Sequence, residues 1–300
     1  MTTNSQVELQ HGARGQRVLV AGATGYLGRH LVRALIDAGC QVRALVRRPE
    51  QAAALPRGVD AFVGQVTDPA TLSGVADDID VVISSLGITR QRDGVTYMDV
   101  DYRGNLALLQ LAEKAGVRRF AYVSVLHGRD LRATVRLAAA KERFVDALTA
   151  SPISTVVVRP TGYFADMSEF LTMAGRGAVS LFGDGQASIN PISGRDVATA
   201  CVAAAWSDAT EVEVGGPDTF TFDGIARAAF AAQGTTPTIR HIPQGLAAAA
   251  AWVLARCTPE RVYGPLQFLI AVMTHDMTAP QTGSDRLVDY FTQAARDGRS

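Results

Sequence analysis

The sequence predicts an α/β fold: a doubly wound, mostly parallel sheet with a smaller C-terminal cap. Three observations carry that expectation. An apolar run with the length of a buried strand, Val18 to Ala21, leads into Gly22, Gly25 and Gly28 at three-residue spacing. Apolar strand-like runs and helix-period runs then alternate as far as Val158, the pattern of parallel strands joined by crossover helices. From Pro160 the alternation gives way to closely spaced glycines and short segments. Residues 1–14 are thus expected to form a loose tail, 15–160 the sheet domain and 161–300 a discontinuous cap. Part of 195–215 is expected to return to the sheet domain.

The stretch from Arg17 to Arg48 organises the rest. After the first strand, Leu27, Leu31, Leu35 and Ile36 fall on one helical face, and Val42 to Val46 reads as a second strand. Strand, glycine turn, helix and strand in this order make a dinucleotide-binding unit. Gly22 lets the backbone turn out of the strand, Gly25 removes a side chain where a phosphate must approach, and Gly28 lets the helix pack on the strand. The helix N-terminus offers unpaired N–H groups and partial positive charge to a pyrophosphate. A site selecting the unphosphorylated cofactor usually ends the second strand in a carboxylate that bonds the ribose 2′-hydroxyl. Arg47 and Arg48 stand there instead, two guanidiniums able to grip a 2′-phosphate, so NADP(H) is the expected cofactor.

Each later element has its own reason. Ala61 to Val63 reads as a third strand, and Asp68-Pro69 as the N-cap and first residue of a helix. Ile79 to Ser84 is a fourth strand running into Ser85-Leu86-Gly87, followed by a polar segment, Thr89 to Gly94. A helix from about Tyr97 to Gly116 offers Leu106, Leu109 and Leu111 to the core and stops at a glycine. Phe120 to Val125 is a fifth strand, Arg132 to Ala150 a helix, and Thr155 to Val158 a sixth strand. In the cap, short strands are expected at Val179 to Leu181 and Ile189 to Ile192, then a helix from Gly194 through Trp206. Val212 to Val214 reads as a late strand and Phe222 to Gln233 as a helix. An alanine-rich helix, a break at Gly264-Pro265, an apolar helix to about Met273 and a last helix from Asp285 to Arg296 complete the chain. Asp166 and Asp196 read as helix caps.

Composition narrows the function classes. Hydrophobic residues make up 47% and charged ones 19%, as in ordinary globular proteins. The 29 basic residues balance the 29 acidic ones, which argues against a nucleic-acid footprint. Cys40, Cys201 and Cys257 are scattered among apolar neighbours, so buried thiols in a reducing compartment are expected, with no disulfide frame and no metal-ligand spacing. No secretory signal is visible, and the most apolar late stretch, Leu246 to Leu254, is too short to span a bilayer; the cytoplasm is the expected location. Lys114 and Lys141 are the only lysines, so 27 of the 29 basic residues are arginine and a lysine needs a specific reason.

With these residues in view, the chain resembles the extended and atypical branch of the short-chain dehydrogenase/reductases, in the NmrA-like NAD(P)H-binding group. Some similarity extends to divinyl chlorophyllide reductase-like and isoflavone reductase-like members. The resemblance runs over about residues 16–295 and is strongest in Gly22-Ala23-Thr24-Gly25-Tyr26-Leu27-Gly28, Phe120-Ala121-Tyr122-Val123-Ser124 and Val158-Arg159-Pro160-Thr161-Gly162-Tyr163-Phe164. It implies a Rossmann domain with a C-terminal substrate-binding cap. It implies cofactor contacts at Gly22, Thr24, Gly25, Tyr26, Leu27 and Gly28, at Arg47 and Arg48, and at Gln65 and Val66 near the adenine. Further contacts are implied at Ser85, Leu86 and Gly87, at Lys141, and at Pro160, Thr161 and Tyr163 near the nicotinamide.

One departure decides the chemistry. Relatives with full dehydrogenase activity carry Tyr-x-x-x-Lys, and here the matching pentad is Leu137-Ala138-Ala139-Ala140-Lys141. Leucine cannot donate a proton, so ordinary ketone reduction through that position is excluded. Gln65 also replaces an acid found after the third strand in many relatives. The catalytic candidates left are Lys141, Ser124 at the end of the fifth strand, and Tyr163 after the sixth, with His127 in the fifth strand's loop as a further proton exchanger. Three classes fit. The first is an NADPH-dependent reductase of a small, hydrophobic molecule with an activated C=C bond, quinone or imine. The second is a non-redox isomerase, dehydratase or cyclase; the third is a non-catalytic NADP(H)-binding regulator. The apolar cap residues Phe164, Phe170, Trp252, Phe268 and Phe291 fit a bulky hydrophobic substrate. The partners expected are a small-molecule substrate and at most a second copy of the chain, in a monomer or homodimer with no membrane span and no nucleic acid.

Overall fold

Continuous apolar runs make strands that must be covered on both faces, and the sheet is built from them. The computed structural model describes residues 12–88 and 94–298, so most of the tail and of the polar segment Thr89 to Gly94 lies outside the described residues. The central sheet contains β1 (Arg17–Ala21), β2 (Gln41–Val46), β3 (Asp60–Val63), β4 (Val81–Ser84), β5 (Arg119–Val123), β6 (Ser154–Pro160) and β9 (Glu211–Val214). Their order is β3-β2-β1-β4-β5-β6-β9, and the pairs from β3 to β6 are parallel. The chain runs outward from β1 through β2 to β3, then returns to place β4 on the other side of β1. That reversal is the topological switch point, and ligands of open parallel sheets bind beyond the strands' C-terminal ends there.

The chain divides into two compact units. The first comprises the described residues through Val125, Ala140–Arg159 and Val197–Val212. It holds α1 (Tyr26–Asp37), α2 (Asn105–Ala115) and most of α4 (Arg136–Thr149). Its core joins Leu19 and Ala21 of β1 to Leu108 and Leu109 of α2 and to Phe120, Tyr122 and Phe144. Leu109 takes the expected core position, whereas Leu106 and Leu111 are only half-buried and Leu108 fills the interior instead. The reason is local: Met98–Gly104 winds as a π-helix before α2 begins, which rotates the following face relative to one continuous helix.

Other expectations need correction. Pro69–Leu72 is a single 3₁₀ turn, and Asp68 makes no side-chain capping bond to it. The helix expected from Arg132 begins only at Arg136, as α4, and a short α3 (Gly128–Leu131) that was not expected precedes it.

The second unit comprises Leu126–Ala139, Pro160–Asp196 and Glu213–Ser300. Its elements include α5 (Phe164–Gly175), β7 (Val179–Phe182), β8 (Ser188–Ile189), the first turn of α6 (Gly194–Ala205), β10 (Phe220–Thr221) and α7 (Phe222–Gln233). They continue with β11 (Ile239–Ile242), α8 (Gln244–Cys257), α9 (Glu260–Thr274) and α10 (Leu287–Asp297). Phe164, Phe170, Phe222, Phe230 and Phe291 form its core. β11, which pairs parallel with β7, was not legible because Ile239-Arg240-His241-Ile242 lacks apolar alternation. The strand at Ile189 ends before Pro191, and Gly264-Pro265 does not break α9, which runs through both. Pro265 sits in the helix's second turn, where one lost backbone bond leaves the rest of the ladder intact. Neither Asp166 nor Asp196 holds the N-cap position expected of it: both lie within the first turn of their helices. Tyr163 holds the N-cap position of α5, and Asp196 instead accepts the backbone N–H groups of Ser284 and Asp285 at 2.9 Å. Cys201 is buried and Cys40 half-buried, but Cys257 is exposed, contrary to expectation, because it ends a solvent-facing helix.

Candidate functional site

The site is assembled at the switch point of the first unit. Gly22 leaves β1 with φ of +82°, a conformation that only glycine adopts without strain. A Cβ on Gly28 would fall 1.9 Å from the Gly22 carbonyl oxygen, so α1 packs against the turn more closely than any other residue permits. Gly25 is the N-cap of α1, with no side-chain capping bond and no acidic residue in the first turn. The N-terminus of α1 thus has neither a side-chain cap on Gly25 nor an acid in its first turn, the arrangement that an anion would need there. Thr24, Tyr26 and Leu27 complete the turn; the Thr24 carbonyl accepts from Arg29 at 3.2 Å, and the Tyr26 ring meets His30 edge-on at 5.4 Å.

Three neighbouring loops face this turn or flank it. Ser85, after β4, donates its hydroxyl to the Ala21 carbonyl at 3.2 Å, and Leu86 and Gly87 follow it in the same loop. Arg47 and Arg48 end β2 exposed, and both backbone N–H groups bond to the Gln51 side-chain oxygen, at 3.0 and 3.1 Å. Their backbone is fixed while the guanidiniums stay open to solvent. After β3, Gln65 is exposed and Val66 buried, with the Gln65 N–H held by the Thr71 hydroxyl at 2.8 Å.

Lys141, on α4, lies beneath Gly87. A Cβ on Gly87 would stand 2.9 Å from Lys141 Nζ and 2.6 Å from Asp101 Oδ1. The ammonium lies 3.1 Å from that carboxylate oxygen and donates to the Tyr122 hydroxyl and the Val123 carbonyl, each at 3.4 Å. Asp101 is fully buried, and its other oxygen accepts the Ile88 N–H at 3.2 Å. Burial pulls the ammonium's pKa down, but the Tyr122 phenol and the Asp101 carboxylate outweigh that and hold it above the usual lysine value. Burial pushes the Asp101 carboxyl above its usual range despite Lys141, and pushes the Tyr122 phenol up as well. Asp101 and Tyr122 escaped the sequence reading. The signal was present: Asp101, Asn105, Leu108 and Ala112 recur at core-facing spacing, and a carboxylate in such a stripe needs a partner.

Ser124 is 5% exposed and donates to Glu142 Oε1 at 2.9 Å. Arg159 clamps the same carboxylate through both of its oxygens, at 2.6 and 3.0 Å, and reaches Glu211 at 3.1 Å. The expected catalytic serine is thus tied into a buried ionic network. Lys114, by contrast with Lys141, is exposed. Leu137 is 2% exposed, so the position of the missing phenol is closed by packing.

In the second unit, Pro160 and Thr161 are buried, and the Thr161 hydroxyl donates to the Asn190 carbonyl at 2.6 Å. Tyr163 is half-buried and forms a backbone bridge with Ile192. His127 is exposed, 3.7 Å from Asp130, with φ of +53°. Among the described residues no cluster of His, Cys, Asp and Glu could hold a metal ion, and no helix is long and apolar enough to cross a membrane.

Residues 22–208 match the family model described as NAD(P)H-binding. The Photosystem II assembly factor Ycf39 of Synechocystis is 40% identical over 115 residues, 38% of this chain and 35% of that protein. The ceramide reductase of Caulobacter vibrioides is 36% identical over 153 residues, 51% of this chain and 47% of that protein. The matched stretches thus span a third to a half of these relatives. The NADPH-dependent quinone oxidoreductase of Escherichia coli, crystallised with NADPH, superposes with a TM-score of 0.69 at 18% identity, covering 94% of this chain and all of that one. The parallel sheet, the glycine turn at its switch point and the extent of the family match lead to one conclusion: the chain belongs to the NAD(P)H-binding family, with the NmrA-like, extended short-chain dehydrogenase/reductase fold.

Proposed function

We propose that the chain is an NADPH-dependent reductase of a small, hydrophobic molecule whose acceptor is an activated C=C bond, a quinone or an imine. The observation that carries this reading is the pairing of a retained Lys141, fixed as a cation by Asp101, with a buried leucine at position 137. Such a site can orient a nicotinamide ribose but has no phenol where a carbonyl reductase keeps its acid. The acceptors that suit it are those needing no enzymic acid during hydride transfer, because conjugation or a positive nitrogen disperses the developing charge.

In this reading the bound cofactor supplies a hydride. The α1 N-terminus holds its pyrophosphate, Arg47 and Arg48 its 2′-phosphate, and Gln65 and Val66 its adenine. Lys141 bonds the ribose hydroxyls from beneath Gly87. Ser85 fixes the β4 loop against the Ala21 carbonyl. Pro160, Thr161 and Tyr163 are proposed as cofactor contacts on the resemblance, and Tyr163 as a proton source. Ser124 is better read as a positioning residue, since its hydroxyl proton is engaged by Glu142.

NADPH oxidation followed at 340 nm against quinones, enones and imines tests the reading. Turnover with at least one class, reduced by Lys141→Ala, is expected. Tight NADPH binding without turnover on any class overturns it in favour of a non-catalytic regulator. That second reading is favoured by one observation: a relative 40% identical over the matched region is named an assembly factor.

A further inference from the structure

We propose that the α8–α9 helix pair of the second unit is a peripheral docking surface for an anionic lipid bilayer. This inference is independent of the proposed reaction. α8 reads Gln-Gly-Leu-Ala-Ala-Ala-Ala-Ala-Trp-Val-Leu-Ala-Arg-Cys, apolar almost all round, and only Ala247 and Ala251 on it are buried. A helix of that composition ordinarily lies inside a core or a membrane. Here Leu246 is 66% exposed, Trp252 58% and Val253 49%. α9, packed against α8, leaves Val262 and Leu269 exposed as well. At 14 residues, roughly 21 Å, α8 is too short to cross a bilayer and long enough to lie along one.

Charge selects the occupant. α8 carries no acid, and Arg256 stacks on Trp252 with 3.5 Å between guanidinium carbon and ring centroid. Arg261 in the first turn of α9 and Arg240 on β11 are exposed. Glu260 is the one acid from Arg240 to Thr274. An apolar helix edged by a tryptophan–arginine pair matches the headgroup boundary, with the ring at the acyl edge and the guanidinium on a phosphate. A second copy fits less well, because its matching patch offers Glu260 as the one acid for these arginines, whereas an anionic surface offers a phosphate to each.

The test uses Trp206→Phe, which leaves Trp252 the sole tryptophan. With vesicles of phosphatidylglycerol and phosphatidylcholine, Trp252 emission is expected to shift to the blue and the protein to float with the lipid. Vesicles of phosphatidylcholine alone should bind far more weakly. Arg256→Gln and Arg261→Gln should each weaken partitioning about fivefold, the equivalent of ~1 kcal/mol per cation at an anionic surface. Leu246→Ser with Val253→Ser should abolish it with an unchanged circular-dichroism melting curve, since both side chains are exposed. Absence of a blue shift and of flotation at every lipid composition overturns the proposal. So does a dimer by light scattering that the serine variants dissociate, which assigns the face to a second copy.

Discussion

Lys141 Nζ lies 3.1 Å from Oδ1 of the wholly buried Asp101, so the lysine retained from the reductase pattern is one half of an ion pair. The carboxylate comes from a π-helical turn of Met98–Gly104 and the ammonium from α4, and a Cβ on Gly87 would collide with both.

This pairing has a pH signature. A lysine held above its unfolded value stabilises the fold fully below that value and loses the contribution as pH rises through the folded one. NADPH affinity, measured by calorimetry, should therefore be flat from about pH 7 to about pH 10. In Asp101→Asn the carboxylate's share of that upward hold is removed, so the Lys141 pKa should fall and NADPH affinity should decline with rising pH earlier than in the unsubstituted protein. A flat profile in the variant refutes the coupling.

The paired guanidiniums at the end of β2 should discriminate between cofactors. Arg47→Ala combined with Arg48→Ala is expected to weaken NADPH binding about tenfold or more and to leave NADH binding nearly unchanged. An equal loss for both nucleotides would remove the 2′-phosphate assignment.

Gly28→Ala places a methyl 1.9 Å from the Gly22 carbonyl oxygen, a backbone atom that cannot rotate away. A stability loss of at least ~3 kcal/mol is expected, seen as a lower thermal midpoint. Gly245→Ala is the control, because nothing lies within 4 Å of its added carbon.

Breaking the buried network should cost as much. Glu142→Ala leaves Arg159, 3% exposed at its side chain, with Glu211 as its remaining carboxylate partner. Loss of one partner from a buried pair costs about 3–5 kcal/mol. Chemical denaturation measures it, and a change below about 1 kcal/mol would show that Ser124 and Glu211 suffice.

Thiol titration separates the cysteines. Burial raises Cys40 to about 11 and Cys201 to about 12, so neither is a thiolate near neutrality. An aromatic disulfide reagent at pH 8 should modify Cys257 fast and the other two only after denaturation.

The sheet was legible because β1, β4 and β5 are apolar runs with few alternatives, and the glycine turn has one sensible use. Lys141 stood out by composition alone in an arginine-rich chain. Its partners did not, since the π-helical turn that aims Asp101 inward has no periodic signature, and Tyr122 reads as an ordinary strand residue. The partner of Ser124 was hidden for a related reason: a strand-terminal serine reads alike whether its hydroxyl is open or, as here, already bonded to the carboxylate of Glu142. Trp252 was expected beside the cap aromatics, but a helix that packs through two alanines leaves its largest ring outside.

With Lys141 only 12% exposed at its side chain, Lys114 near the end of α2 is the sole lysine amine freely open to solvent. Amine-directed chemistry on lysine side chains should therefore act at one address. A surface, fluorophore or crosslinker attached there would tether every molecule by the same helix end and spare the nucleotide cradle, so that immobilised preparations keep a uniform presentation.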